Sequence, residues 1–177
     1  NNSSRGQPNF PGPDAANPRA NNVMGSVIRW KDDGDFDGTS FRWSHLVLAG
    51  DPANERAEAK GNIKGDLFAC PDGLMLDARG VLWIQTDAAA AQMYKGELKN
   101  IGSNQMLACD RSSGEIRRFL TGPTNCEVTG ATLTPDGKSM GLFAWLTMAS
   151  GDETSFADAT TAAVAGRINR SDATRDD

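Results

Sequence analysis

Short stretches of alternating apolar and polar residues, each bounded by turn-forming residues, recur along most of the chain and predict β-strands. The clearest is Cys70-Pro71-Asp72-Gly73-Leu74-Met75-Leu76-Asp77-Ala78-Arg79-Gly80-Val81-Leu82-Trp83-Ile84-Gln85-Thr86-Asp87. Leu74, Leu76, Leu82 and Ile84 keep a period of two on either side of Asp77-Ala78-Arg79-Gly80. This predicts a hairpin with a tight turn in which Gly80 takes a positive φ. Pro71-Asp72-Gly73 makes a further turn and sets a carboxylate at the entrance of the first strand. The design recurs 57 residues later, where Gly130, Leu133 and Gly137 repeat Gly73, Leu76 and Gly80, and Glu127 stands where Cys70 stood. A repeat of this length made of short hairpins predicts β-propeller blades, an all-β fold.

The neighbouring segments fit the same plan. Val23 to Trp30 and Phe41 to Leu48 are strand candidates around the acidic, glycine-bearing run Lys31-Asp32-Asp33-Gly34-Asp35-Phe36-Asp37-Gly38. That run lacks the spacing of an EF-hand calcium loop and reads as a solvated hairpin loop. Asn104 to Asp110 and Glu115 to Leu120 flank Arg111-Ser112-Ser113-Gly114 as another hairpin. Residues 73 to 120 therefore hold four strands in meander order, about one complete blade, with two partial blades before and after.

Between these elements, residues 51 to 67 are polar and mixed in charge, with room for one helical turn, and Ala88 to Gly96 carries no clear pattern. Residues 1 to 22, rich in Asn, Pro and Gly, read as a loop, although Arg19 and the side-chain amides there could serve a site. After the continuous apolar run Met140 to Met148 the chain becomes Ala/Thr/Asp-rich, with a weak helix signal near Ala157 to Ile168. The expected organisation is a propeller-like domain over residues 1–140 and a divergent, partly disordered tail over 141–177.

Composition narrows the function. A net charge of −5 and a pI near 4.9 argue against a nucleic-acid groove. No apolar run reaches the roughly 18 residues that a membrane-spanning helix needs. Cys70, Cys109 and Cys126 form no C-x-x-C pair and no complete disulfide framework. The single histidine, His45, sits in an apparent strand, so triad chemistry has almost no support. The chain begins at Asn1 rather than Met, which suggests a mature or truncated product.

Inner strands of a propeller line its central channel, so Asp72 and Glu127 are expected at matching ends of neighbouring inner strands. Converging carboxylates suit a hard cation such as calcium, which takes six to eight oxygen ligands. The plainer alternative is that Asp72 only makes its turn and Glu127 only caps a strand. Asp136 also lies in a Pro-Asp-Gly sequence, but it aligns with Arg79 and is expected to be a turn residue.

Several blocks together resemble one family. They are Asn17-Pro18-Arg19-Ala20-Asn21-Asn22, the Cys70-to-Asp87 stretch, Asn104 to Ala108, Gly114 to Pro123, Cys126-Glu127-Val128-Thr129-Gly130 and Thr134-Pro135-Asp136-Gly137. In this order they resemble the C-terminal portion of PhoX-type alkaline phosphatases, secreted bacterial propellers, over roughly residues 1 to 140. The resemblance implies hydrolysis of phosphomonoesters at a channel site holding calcium and ferric iron, in a periplasmic or extracellular protein. It assigns Asp72 as a calcium-ligating carboxylate and Glu127 as a second channel ligand, with Asn21 and Asn22 as further candidates.

In the family, a phosphate-contacting arginine and an iron-ligating glutamate lie just upstream of the Asn-Asn that matches Asn1-Asn2. The iron-ligating cysteine lies further upstream, so Cys70 is not expected to bind iron. The family's Gln-His-Pro-Gly-Glu segment, due after Pro-Asp-Gly-Lys, is replaced here by Gly141-Leu142-Phe143-Ala144-Trp145. Little or no activity is therefore expected from the chain alone, with the upstream part of the propeller as its partner. A calcium-dependent lactonase-like propeller and a non-catalytic propeller module remain as alternative readings.

Overall fold

The computed structural model describes residues 11–146 and 166–167. Among these residues ten strands form three sheets, and the only helical element is a 3-10 turn at Gly96–Leu98. Strands β1 (Ser26–Asp32) and β2 (Phe41–Leu48) pair antiparallel, with a bulge between Val27 and Ile28. The central sheet contains β3 (Lys64–Gly65), β4 (Pro71–Leu76), β5 (Val81–Thr86), β6 (Gln105–Asp110) and β7 (Glu115–Thr121). Its order is β3-β7-β6-β5-β4, so β4 to β7 run as the expected four-stranded meander. A third sheet, β10-β9-β8, joins β8 (Cys126–Leu133), β9 (Ser139–Leu146) and β10 (Gly166–Arg167). The fold is all-β: one complete propeller-like blade between two partial ones.

The hairpins close with the turn chemistry that their sequences carry. In β4–β5 the Gly80 N–H reaches the Asp77 carbonyl at 3.0 Å and Gly80 has φ +85°. Asp77 Oδ1 accepts the Arg79 and Val81 N–H groups, while Oδ2 accepts Arg79 Nη2 at 2.7 Å and Trp83 Nε1 at 3.2 Å. In β8–β9 the Asp136 carboxylate accepts the Thr134 hydroxyl and the Lys138 N–H, which makes it a turn residue. In β6–β7 Asp110 accepts the backbone N–H and hydroxyl of Ser112 and the hydroxyl of Ser113. Those bonds hold its carboxyl down to about 2.

The period of two along β5 divides the core. Leu82 and Ile84 point into a cluster with Met24, Val47, Phe68, Leu107 and Ile116, which joins the first sheet to the central one. Trp83 points the other way, into a second cluster with Met106, Val128, Met140 and Leu142, which joins the central sheet to the third. It also meets Phe119 edge-on, with ring centroids 5.1 Å apart. Apolar burial on both faces of one strand is what ties successive blades together.

Some elements differ from the sequence reading. The two-residue strand β3 pairs parallel with β7 and is too short to show a period. Where one helical turn was expected, residues 56–60 form only a hydrogen-bonded turn, closed by the Ala59 and Lys60 N–H groups on the Arg56 carbonyl. Leu74 and Leu76, strand residues by pattern, are 51% and 53% exposed, along a groove they share with Val27, Leu46 and Leu82. Strand β9 runs across residue 140 to Leu146. The helix expected near residues 157–168 lies outside the described residues, except Gly166–Arg167, which form β10.

Candidate metal centre

Two β-bulges occupy equivalent places in the repeat. In β4 the pairing slips between Pro71 and Leu74, and in β8 between Val128 and Gly130. A bulge lets two residues face one partner and turns the strand locally, which re-aims a side chain at a strand entrance. Asp72 lies in the first bulge. Glu127 is the second residue of β8. Asp87 follows β5 directly, and its N–H donates to the Cys70 carbonyl at 2.9 Å, which closes the open end of the β4–β5 hairpin.

These three side chains converge. One carboxylate oxygen from each of Asp72, Asp87 and Glu127 lies within 4.8 Å of the other two; Asp72 and Asp87 are exposed and Glu127 is half-buried. No other set of three His, Cys, Asp or Glu side chains comes together in this way among the described residues. Gly73 permits the approach of the two blades. A Cβ there would sit 3.2 Å from the Thr129 carbonyl oxygen of β8 and 2.6 Å from Gln85 Oε1. The Gln85 side chain could shift, but the β8 backbone could not do so without moving Glu127.

Crowding three carboxylates has an electrostatic cost. Partial burial, followed by the charge of Asp72, pushes the Asp87 carboxyl above its ordinary value. Glu127 is raised by burial first and then by Asp87 and Asp72. A carboxylate with a raised folded-state pKa destabilises the fold above that pKa, and the cost disappears as pH falls below the unfolded value. In metal-free chain, Asp87→Asn is therefore expected to raise the melting temperature at pH 7 and to leave it nearly unchanged near pH 4. Thermal melts in a chelator at both pH values check this; a lower melting temperature at pH 7 would contradict it.

The donor set is of the kind that hard divalent cations take. It consists of hard anionic oxygens, spaced as ligands on one ion with metal–oxygen distances of about 2.4 Å would be. A bound cation would also offset the repulsion that raises Asp87 and Glu127. No thiolate joins the set. Cys70 Sγ donates to the Val23 carbonyl and Cys126 Sγ to the Glu127 carbonyl. Burial and the nearby Glu127 push the Cys126 thiol up, so it stays protonated at neutral pH.

The structure thus brings together Asp72 and Glu127, as the sequence suggested, and adds Asp87. The sequence does carry a signal for Asp87: a hairpin turning at residues 77–80 brings residue 87 back opposite residues 70–72.

Arg19, Asn22 and His45 each bond the backbone. Arg19 is buried and donates to the carbonyls of Gly25, Ala49 and Lys60, pinning the entry loop. Asn22 is buried and its Oδ1 accepts the Met24 and Gly25 N–H groups. Asn21 is exposed and takes a positive φ of 47°. His45 bonds the Ala16 carbonyl through Nε2 and meets Trp43 edge-on. The acidic residues between β1 and β2 form no cluster of this kind.

Comparison with known proteins identifies the family. Residues 1–143 match the family described as "Alkaline phosphatase PhoX". The chain is similar to a solved structure of Pseudomonas fluorescens PhoX in complex with vanadate, a transition state analogue, with 39% sequence identity and a TM-score of 0.74. That match covers 81% of this chain and 25% of the other, so the chain spans about a quarter of that protein's length. No curated protein matches the chain.

Proposed function

The chain belongs to the alkaline phosphatase PhoX family, and we propose that it carries part of the metal channel of a phosphomonoesterase. In this reading Asp72, Asp87 and Glu127 hold calcium. The single observation that carries it is the convergence of these carboxylates from two adjacent blades. Calcium bound there would supply positive charge for the phosphoryl oxygens, which three bare carboxylates would repel.

The chain's own residues do the positioning. Gly73 lets β8 come close to β4, and the Asp87 N–H on the Cys70 carbonyl fixes the end of the hairpin. Trp83 and its cluster keep the two blades in register behind the site. Ferric iron, which the family resemblance implies, has no thiolate donor here, and its ligands are expected on the preceding part of a PhoX propeller. That part is the proposed partner. The half-exposed Leu74 and Leu76, on the strand that carries Asp72, leave an apolar groove that further strands could cover. The proposed site of action is the periplasm or the extracellular medium. No helix among the described residues is long and apolar enough to cross a membrane.

Complementation tests the reading. The chain, mixed or co-expressed with the remainder of a PhoX propeller, is expected to give calcium-dependent hydrolysis of a phosphomonoester, and Asp72→Ala to abolish it. Undiminished hydrolysis with Asp72→Ala would contradict it.

A further inference from the structure

The acidic cluster is assembled across a blade boundary, so something must fix the distance between its two halves. Asp87 belongs to the central blade and Glu127 to the next. One buried side chain bonds the chain on both sides of that boundary. Asn104, 1% exposed at the entrance of β6, uses its full hydrogen-bonding capacity. Its Oδ1 accepts the Ala88 N–H at 2.6 Å and the Thr86 hydroxyl at 3.0 Å. Its Nδ2 donates to the Ala88 carbonyl at 3.0 Å and to the Cys126 carbonyl at 3.0 Å. Thr86 and Ala88 are the two neighbours of Asp87, and Cys126 is the residue before Glu127.

We propose that Asn104 is a positioning residue that sets the separation of Asp87 and Glu127 and so tunes the cation affinity of the centre. The inference rests on the calcium reading above and adds to it a residue that touches no ligand. A planar amide held at four points is a rigid spacer. Thr86 stiffens it further, because its hydroxyl also accepts the Gln105 N–H at 2.9 Å. If Asn104 served only to anchor the loop after β5, the bonds to Ala88 would be enough. The bond to the Cys126 carbonyl reaches the other blade one residue from a ligand. Residues that orient metal ligands from behind change affinity by roughly ten- to a hundredfold when removed, without contacting the ion.

The test is calcium titration of the purified chain, alongside thermal melts, for wild type, Asn104→Ala, Thr86→Val and Asp110→Ala. Asp110 shapes the β6–β7 turn, opposite Val81 at the end of the sheet away from the acidic cluster, and controls for loss of stability alone. Asn104→Ala is expected to lose about tenfold or more in calcium affinity. Thr86→Val is expected to lose about threefold, because it removes one of the four contacts. Asp110→Ala is expected to melt earlier while binding calcium as wild type does.

Wild-type affinity in folded Asn104→Ala would overturn the inference, as would an equal loss in Asp110→Ala. If Asn104→Ala does not fold, Thr86→Val decides, and unchanged affinity there overturns the inference. Absence of calcium binding by wild type would overturn the calcium reading itself and this inference with it.

Discussion

The chain by itself is expected to hydrolyse phosphomonoesters at least about a thousandfold more slowly than an intact PhoX enzyme, even with metals supplied. Phosphoryl transfer asks little covalent chemistry of a protein and much placement of charge around the phosphoryl oxygens. The site described here contributes three carboxylates and a rigid frame, and by itself it repels a phosphate dianion. Loss of a single charge-stabilising donor costs an enzyme roughly a hundred- to a thousandfold. Groups that act as a unit cannot be judged one at a time. A chain spanning about a quarter of the matched PhoX supplies a share of such a unit. Assays with a chromogenic phosphomonoester, with calcium and ferric iron added, measure the rate. A rate comparable to that of an intact enzyme would show that the described blades suffice.

The second large effect is on folding. Asp77→Ala is expected to destabilise the chain by about 3 kcal/mol, or roughly 10 °C in melting temperature. The Asp77 side chain is 1% exposed, whereas its partner Arg79 is half-exposed, so the ion pair itself contributes little. The loss comes from the donors left behind: the Val81 and Arg79 N–H groups that shape the turn, and the buried indole N–H of Trp83. Trp83 belongs to the cluster that joins the central and third sheets, so the turn and the blade interface would weaken together.

The effect has a pH signature. Burial raises the Asp77 pKa, but the bonds from Arg79, Trp83 and the Val81 N–H outweigh it and hold it below the ordinary value. A depressed carboxylate stabilises the fold above the unfolded pKa of about 3.9, and this stabilisation is lost as pH falls through the folded value. The gap between wild type and variant in urea denaturation should therefore be wide at pH 7 and narrower near pH 3. A gap below about 0.5 kcal/mol at pH 7, typical of an unremarkable surface site, would contradict this account of Asp77.

Much of this was legible in the sequence because hairpins write themselves locally. Leu74, Leu76, Leu82 and Ile84 mark a strand period, and Gly80 and Gly137 mark turns; both glycines have positive φ in the structure. The repeat that equates Gly73 with Gly130 also places a bulge at the same point in both copies. What was not legible depends on packing between segments far apart in sequence. Nothing local says that Trp83 faces the next blade, or that Asn104 reaches the Cys126 carbonyl across it. Leu74 and Leu76 show the strand period, but a period alone does not say what covers their face, and both are half-exposed. Asp72 and Glu127 were found as strand-entrance carboxylates, whereas Asp87 required following the hairpin register back from its turn.

The proposal that Asp72, Asp87 and Glu127 together hold calcium stands or falls on calorimetric titration of the purified chain with calcium. Wild type is expected to bind, and Asp72→Ala to bind at least about tenfold more weakly, since each carboxylate supplies both charge and a ligand. No binding by wild type, or equal binding by both proteins, would contradict it.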